Sequence, residues 1–326
     1  MWRNELRIDP APALLSADNQ AIRYFVERDV LQEDVGPVEN LRELPDALKI
    51  VRKQRGNGSW SYPGSNKSNV PEFNYDLLET YRQMSILIDK YGFNKEYVSI
   101  RKGAEYLFSC QTEEGDFRGI LGTQYIPYYM GIIMEYLIKA GYGEDNRIRC
   151  GFDWLLSKRQ DDGGWLIPLQ TLKSKPREIW SSPPVEPDRS KPFSHLATGM
   201  VLRAFAVHDT YCHNEEAIRA AELLKERMFK PDKYNDRRTS DYWTKFQYPF
   251  WWPNILTALD SFSLMGFSKD DPHVQHALLW FIENQQDDGL WKTGYENKKD
   301  IVKPRDKEAQ LWVGLAVCRV LRQYMG

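Results

Sequence analysis

The chain has 326 residues, of which 42% are apolar and 28% charged, with a net charge of −2. That composition belongs to a globular protein and excludes a disordered one. The near-neutral balance offers no basic excess for nucleic acid and no basic tail for an anionic membrane surface. Aromatic side chains are abundant, with 11 Trp, 18 Tyr and 14 Phe. Such side chains fill cores, and they also wall pockets for apolar, cationic or sugar-like ligands.

In chain order, the N-terminus lacks a charged start followed by an apolar run, so no leader is expected. No apolar stretch approaches the ~18 residues of a membrane-spanning helix. Residues 1–40 read as a helical lead-in, with a first helix near 21–31, to a single domain of repeats over 41–326. The four cysteines, Cys110, Cys150, Cys212 and Cys318, form no CxxC pair. They read as reduced, buried thiols of a cytoplasmic protein.

Four segments then share one pattern: ALKIVRKQRGNGSW at 47–60, GAEYLFSCQTEEGDF at 103–117, GFDWLLSKRQDDGGW at 151–165 and HALLWFIENQQDDGLW at 276–291. Each runs from apolar residues at helical spacing through Gln to a polar stretch and Gly-x-aromatic. The glycines Gly58, Gly115 and Gly163 recur near a 50-residue period. The long gap to Gly289 leaves room for a degenerate unit at 220–235. A period of this size signals a repeat architecture. The spacing of Tyr97, Ile100, Ala104, Leu107 and Phe108 predicts an outer helix with one wet face. More evenly apolar inner helices are predicted at 72–90, 125–140, 194–207, 253–265 and 306–324. The expected fold is all-α, an α/α toroid (barrel) of five to six helical hairpins; an open superhelix is the alternative.

The Gln-x-x-x-Gly-x-Trp turns resemble the QW repeat of squalene and oxidosqualene cyclases, whose helical ring also occurs in protein prenyltransferase β subunits. They stand here as QRGNGSW at 54–60, QTEEGDF at 111–117 with Phe for Trp, QDDGGW at 160–165, which reads as one residue short, and QQDDGLW at 285–291. The resemblance implies the toroid scaffold and a central aromatic cavity for an isoprenoid-type ligand. The chemistry of those families does not carry over. No Asp-x-Asp-Asp acid is present, and Asp161–Asp162 and Asp287–Asp288 lie inside the turns. No DDxxD magnesium box exists, and NDRRTSDYW at 235–243 ends in Trp243 where a second box would place a carboxylate. His208, Asp209, Cys212 and His213 form the only zinc-like cluster, without tetrahedral spacing, so no metal or cofactor is expected.

Candidate site residues gather in three places. DYWTKFQYPFWWPN at 241–254 holds Trp243, Tyr248, Trp251 and Trp252 before an inner helix, as a pocket wall or as a hydrophobic plug. TQYIPYYMG at 123–131 starts another with Tyr125, Tyr128 and Tyr129, and Pro127 in its first turn. The proline-rich segment 176–199 is long enough to be a site wall, carries Trp180 and leads into His195. Tyr75 and Trp312 lie on inner helices. Asp241, if buried among aromatics, would have a raised pKa and act with His195 in proton transfer; helix capping is the alternative for both, and Asp76 has the same status. The reading that follows is a terpene-cyclase-like or prenyltransferase-like protein that holds a small apolar or isoprenoid-type ligand. A non-catalytic binding or scaffold protein, or a carbohydrate-active α/α-barrel enzyme, are the alternatives.

Overall fold

The structure, a computed structural model, describes residues 2–64, 73–172, 177–234, 238–294 and 304–326. The start of 235–243 and most of the charged run at 296–308 lie outside the described residues. Among these residues the chain is helical, with isolated bridges and no strand. The helices are α1 (Ala11–Leu15), α2 (Gln20–Val26), α3 (Pro45–Val51), α4 (Tyr75–Tyr91), α5 (Val98–Ser109), α6 (Pro127–Leu137), α7 (Asn146–Ser157), α8 (His195–Ala206), α9 (Glu215–Lys225), α10 (Ile255–Leu264), α11 (Pro272–Glu283) and α12 (Pro304–Met325). The predicted inner helices are α4, α6, α8, α10 and α12, each within a few residues of its expected ends. No helix among the described residues is long and apolar enough to cross a membrane.

Helix starts follow the local chemistry of the sequence. Asn74, Asp145, Ser194, Asn254 and Asp271 each precede a helix and accept a backbone N–H from its first turn. An orphan donor is thereby satisfied, an interaction worth about 1 kcal/mol.

The chain divides into two compact units, one of Met1–Pro37 with Leu224–Gly326 and one of Val38–Leu223. In the Val38–Leu223 unit, α4, α6 and α8 pack side by side. Gly131 brings the backbone of α6 against α8, since a Cβ there would lie 2.5 Å from the Met200 carbonyl. Four residues on, Glu135 pairs with Arg203 at 2.8 Å. Both contacts advance in the same direction along the two helices, so α6 and α8 run parallel. Tyr81 against Tyr129 and Asp89 against the Tyr136 hydroxyl show the same for α4 and α6. The first turns of the three helices therefore share one end.

The Gly-x-aromatic turns share one hydrogen-bond pattern. Arg55 N–H donates to the Ser59 carbonyl, Thr112 to Asp116, Gln160 to Gly164 and Gln286 to Leu290. Each turn glycine has positive φ, from +81° at Gly289 to +107° at Gly115, a conformation that side chains with a Cβ resist. Gln54, Gln111 and Gln285 each donate to a carbonyl in their own turn and to one beyond it: Ser99, Arg147 and Ile8 respectively. The indoles of Trp60, Trp165 and Trp291 donate to the carbonyls of Ile50, Leu155 and Phe281, ten residues back. These residues are mortar between helices, as their spacing implied.

The third turn corrects the sequence register. Its backbone bonds place Gln160 level with Arg55, Thr112 and Gln286, one position after the Gln slot. Arg159 occupies that slot and pairs with Glu216. The turn is thus of full length. The Gln160 amide instead donates to the Asp188 and Lys191 carbonyls. The cysteines depart from expectation only in burial, Cys110 being half-buried. All four are free thiols; Cys212 and Cys318 are buried, whereas Cys150 is exposed because it lies on the wet side of α7.

Candidate functional site

The candidate residues separate between the two units. In the Val38–Leu223 unit, the chain leading into α6 and the stretches 167–172 and 179–185 build one hydrophobic cluster. Ile126, Leu169 and Ile179 are buried at its centre. Half-buried Leu121, Tyr128, Tyr129, Ile167, Leu172, Trp180 and Val185 pack around them. Pro127 sets the first turn of α6, so that Tyr128 and Tyr129 emerge there with ring centroids 4.2 Å apart. Tyr81 reaches Tyr129 from α4 at 6.3 Å, Phe73 lies 5.7 Å from Trp180, and Tyr75 stacks on Phe73 at 5.5 Å and on Tyr62 at 5.3 Å. The sequence candidates Tyr75, Tyr128, Tyr129 and Trp180 therefore belong to two short chains of aromatic contacts that meet on one apolar cluster.

The electrostatics of this wall favour neutral hydroxyls. Burial, with neighbouring tyrosines adding to it, holds the Tyr81 and Tyr128 phenols far above the usual tyrosine range. Tyr129 is raised by burial as well, and the Tyr128 hydroxyl and the Arg82 charge pull it back. Glu79, 7% exposed on α4, has its carboxyl pushed up by burial, against the pull of Gln83 and Arg82. Tyr81, Arg82 and Glu79 escaped the sequence reading. Their signal was present: Tyr75, Glu79 and Arg82 follow a helical i, i+4, i+7 spacing on an otherwise buried helix.

Tyr125 is placed differently. Its ring is 2% exposed and meets Trp154 edge-on at 4.9 Å, and its hydroxyl donates to Glu186, which Lys158 also pairs at 2.7 Å. It anchors the segment behind the wall. His195, 4% exposed, opens α8, where the Ser194 N–H bonds the Trp165 carbonyl and Phe193 packs 5.5 Å from the imidazole. By the parallel packing of α6 and α8, His195 lies at the same end as Tyr128 and Tyr129.

In the other unit, Asp241 corrects the expectation of a buried acid. Its side chain is 52% exposed and pairs with Lys245. The hydrogen bonds from Lys245 and Thr239 hold its carboxyl below the usual range rather than raising it. Trp243 is fully buried beside Tyr242 and donates to the Lys230 carbonyl, thirteen residues back. It ties the degenerate unit much as Trp60 ties the first turn. Trp312 is 2% exposed, donates to Glu308 and stacks on Tyr248 at 5.1 Å, and Tyr248 also meets Phe250 edge-on at 5.2 Å. Trp251 and Trp252 are half-buried.

The His208 cluster is a capping device. His208 Nδ1 accepts from the Thr210 and Tyr211 backbone, which leaves Nε2–H to donate to the Gly143 carbonyl, and the Cys212 thiol donates to the Asp209 carbonyl. Both ring nitrogens are engaged. Among the described residues, no group of three or more His, Cys, Asp or Glu gathers as a metal site. Asp76 pairs with Arg55 at 2.6 Å and accepts the Tyr62 N–H.

No family profile and no curated protein matches the chain. Among solved structures it is similar to a variant of type II terpene cyclase MstE from Scytonema, at 11% identity over 96% of this chain and 97% of that one, with a TM-score of 0.45. It is also similar to a polysaccharide lyase, at 13% identity over 94% and 89% of the two chains (TM-score 0.44). A protein from Actinoplanes is 17% identical over 94% and 90%, with a TM-score of 0.40.

Proposed function

We propose that the Val38–Leu223 unit binds an apolar, isoprenoid-type ligand against the wall formed by Tyr75, Tyr128, Tyr129 and Trp180. One observation carries this reading. Half-buried aromatic and aliphatic side chains, Tyr128, Tyr129 and Trp180 among them, gather on the buried Ile126, Leu169 and Ile179 at one end of the helices, and partly exposed aromatics around an apolar cluster are what line small-molecule sites. The phenols stay protonated and donate hydrogen bonds, so they suit a ligand with one polar end and an apolar length. His195 is assigned the proton-transfer role on this end of the helices. Asp241, exposed and ion-paired, is given none.

The test is a titration with a C15 prenyl alcohol, followed by tryptophan fluorescence and by native mass spectrometry. Saturable binding that Trp180→Ala weakens at least tenfold, and that neutral oligosaccharides do not reproduce, supports the reading. Binding of oligosaccharides in place of the prenyl alcohol, or equal binding by Trp180→Ala, overturns it.

A further inference from the structure

The 179–186 segment supplies Ile179, Trp180 and Val185 to the apolar cluster, yet its backbone belongs to no regular element beyond a short 3-10 turn at Arg177–Ser181. What holds it is the loop before α6. Gln124 is 3% exposed, and its Nε2 lies 2.6 Å from the Ile179 carbonyl, 3.2 Å from that of Ser182 and 3.4 Å from that of Pro183. Its Oε1 accepts the Val185 N–H at 2.8 Å. Thr123 donates its N–H to the Trp180 carbonyl at 2.9 Å and its hydroxyl to the Ser182 carbonyl. Gly122, at φ +62°, lets the Trp180 carbonyl approach to within 2.1 Å of where a Cβ would stand.

We propose that Gln124 is a positioning residue for this site: its amide latches the 179–185 backbone, so that Trp180 stands in the wall before any ligand arrives. The proposal rests on the apolar-wall reading for its consequence in binding, but the latch itself is a property of the chain. The physical asymmetry is sharp. An amide has two N–H groups, and here they face three carbonyls. A carboxylate of the same shape would turn the donor into a charged acceptor against the Ile179 carbonyl, leaving buried oxygens opposed and unsatisfied. Burial beside those carbonyls would also raise the carboxyl pKa, and the protonated acid again donates.

Two variants test this. Gln124→Glu keeps the shape and removes donation at neutral pH; Gln124→Met keeps the approximate volume and removes it at every pH. Amide hydrogen exchange, compared with wild type at the same pH, is expected to rise at least tenfold across 179–186 in both at pH 8. Protection is expected to return in Gln124→Glu alone as the pH falls to 5. Gly122→Ala, which drives a Cβ into the Trp180 carbonyl, should loosen the same amides without touching Gln124. Unchanged exchange over 179–186 in Gln124→Glu at pH 8, or loss of protection that does not respond to pH, overturns the latch. C15 prenyl alcohol affinity is expected to fall with protection. Loosened amides with wild-type affinity overturn the positioning role. If wild type binds no prenyl alcohol, the ligand reading fails and exchange still decides the latch.

Discussion

Replacing Gln285 by leucine measures what one turn amide contributes. Gln285 is 2% exposed, and its side chain makes three hydrogen bonds: to the Gly289 carbonyl at 2.9 Å, to the Ile8 carbonyl at 2.8 Å and from the Ile8 N–H at 3.1 Å. Leucine fills similar volume and makes none of them. A typical hydrogen bond contributes about 1 kcal/mol net, and stranding a buried partner costs about 1–3 kcal/mol. The bond to Gly289 is buried, whereas the two to exposed Ile8 are part-buried and can be re-paired by water, so the expected loss is about 2–3 kcal/mol. Gln111 makes the corresponding two donations, to Gly115 and Arg147, from a half-buried position. Water can re-pair those carbonyls, and Gln111→Leu should lose only about 1–2 kcal/mol. Urea denaturation with a check that the m-value is unchanged reads both, and hydrogen exchange at Ile8 and Leu290 localises the first. Equal losses in the two variants, or a loss below about 0.5 kcal/mol in Gln285→Leu, would refute burial as the deciding factor.

Gly58→Ala should destabilise far more than Gly36→Ala. Both glycines have positive φ, but a Cβ at Gly58 would lie 2.1 Å from the Lys102 carbonyl, whereas nothing stands within 4 Å at Gly36; comparative melting reads the difference. Arg203→Met leaves Glu135 in the core with Lys139 as its remaining cation, at 2.8 Å. Breaking a buried pair costs about 3–5 kcal/mol, and a melting temperature within a degree of wild type would contradict that. Arg203 and Lys139 overcome burial and hold the Glu135 carboxyl below its ordinary range. The stability it contributes is therefore present above the unfolded glutamate value, near pH 4.3, and is lost as pH falls through the lower folded value. Acid titration of Glu135→Gln should be flatter than wild type below about pH 4.3, and parallel curves would remove Glu135 from the acid response. Asp241→Asn should leave prenyl alcohol binding unchanged and shift stability by less than about 0.5 kcal/mol, because the side chain is exposed; a larger effect on binding would restore it to the site.

The latch and the turns show how far local chemistry reaches. The inner helices and the glycines of the turns were legible, because each depends on residues within one or two turns of itself; the caps at Asn74, Ser194 and Asn254 emerged only in the structure, where the predicted starts at 72, 194 and 253 give way to helices that begin just after them. Tyr128, Tyr129, Trp180 and Tyr75 were legible as large aromatics at helix starts and in a long loop. That they belong together was not, since Trp180 meets Phe73, and Tyr129 meets Tyr81, only after the chain has packed. Asp241 misled because aromatic neighbours in sequence imply burial, whereas Lys245, one helical turn on, draws its carboxylate into solvent. Arg159 and Gln160 exchanged roles for a similar reason. Two adjacent polar residues fit either register by type, and only the backbone bond from Gln160 to Gly164 decides which one closes the turn.

By itself, then, the order of residues determined the all-helical class, the positions of the helices and the recurrence of the turns, all set by periodicity and capping at short range. Tertiary structure alone decided which aromatics pack together, which serve as mortar, and which carboxylates are buried. Those outcomes depend on contacts such as Gln124 to Ile179 and Glu135 to Arg203, whose partners lie 55 and 68 residues apart in the chain.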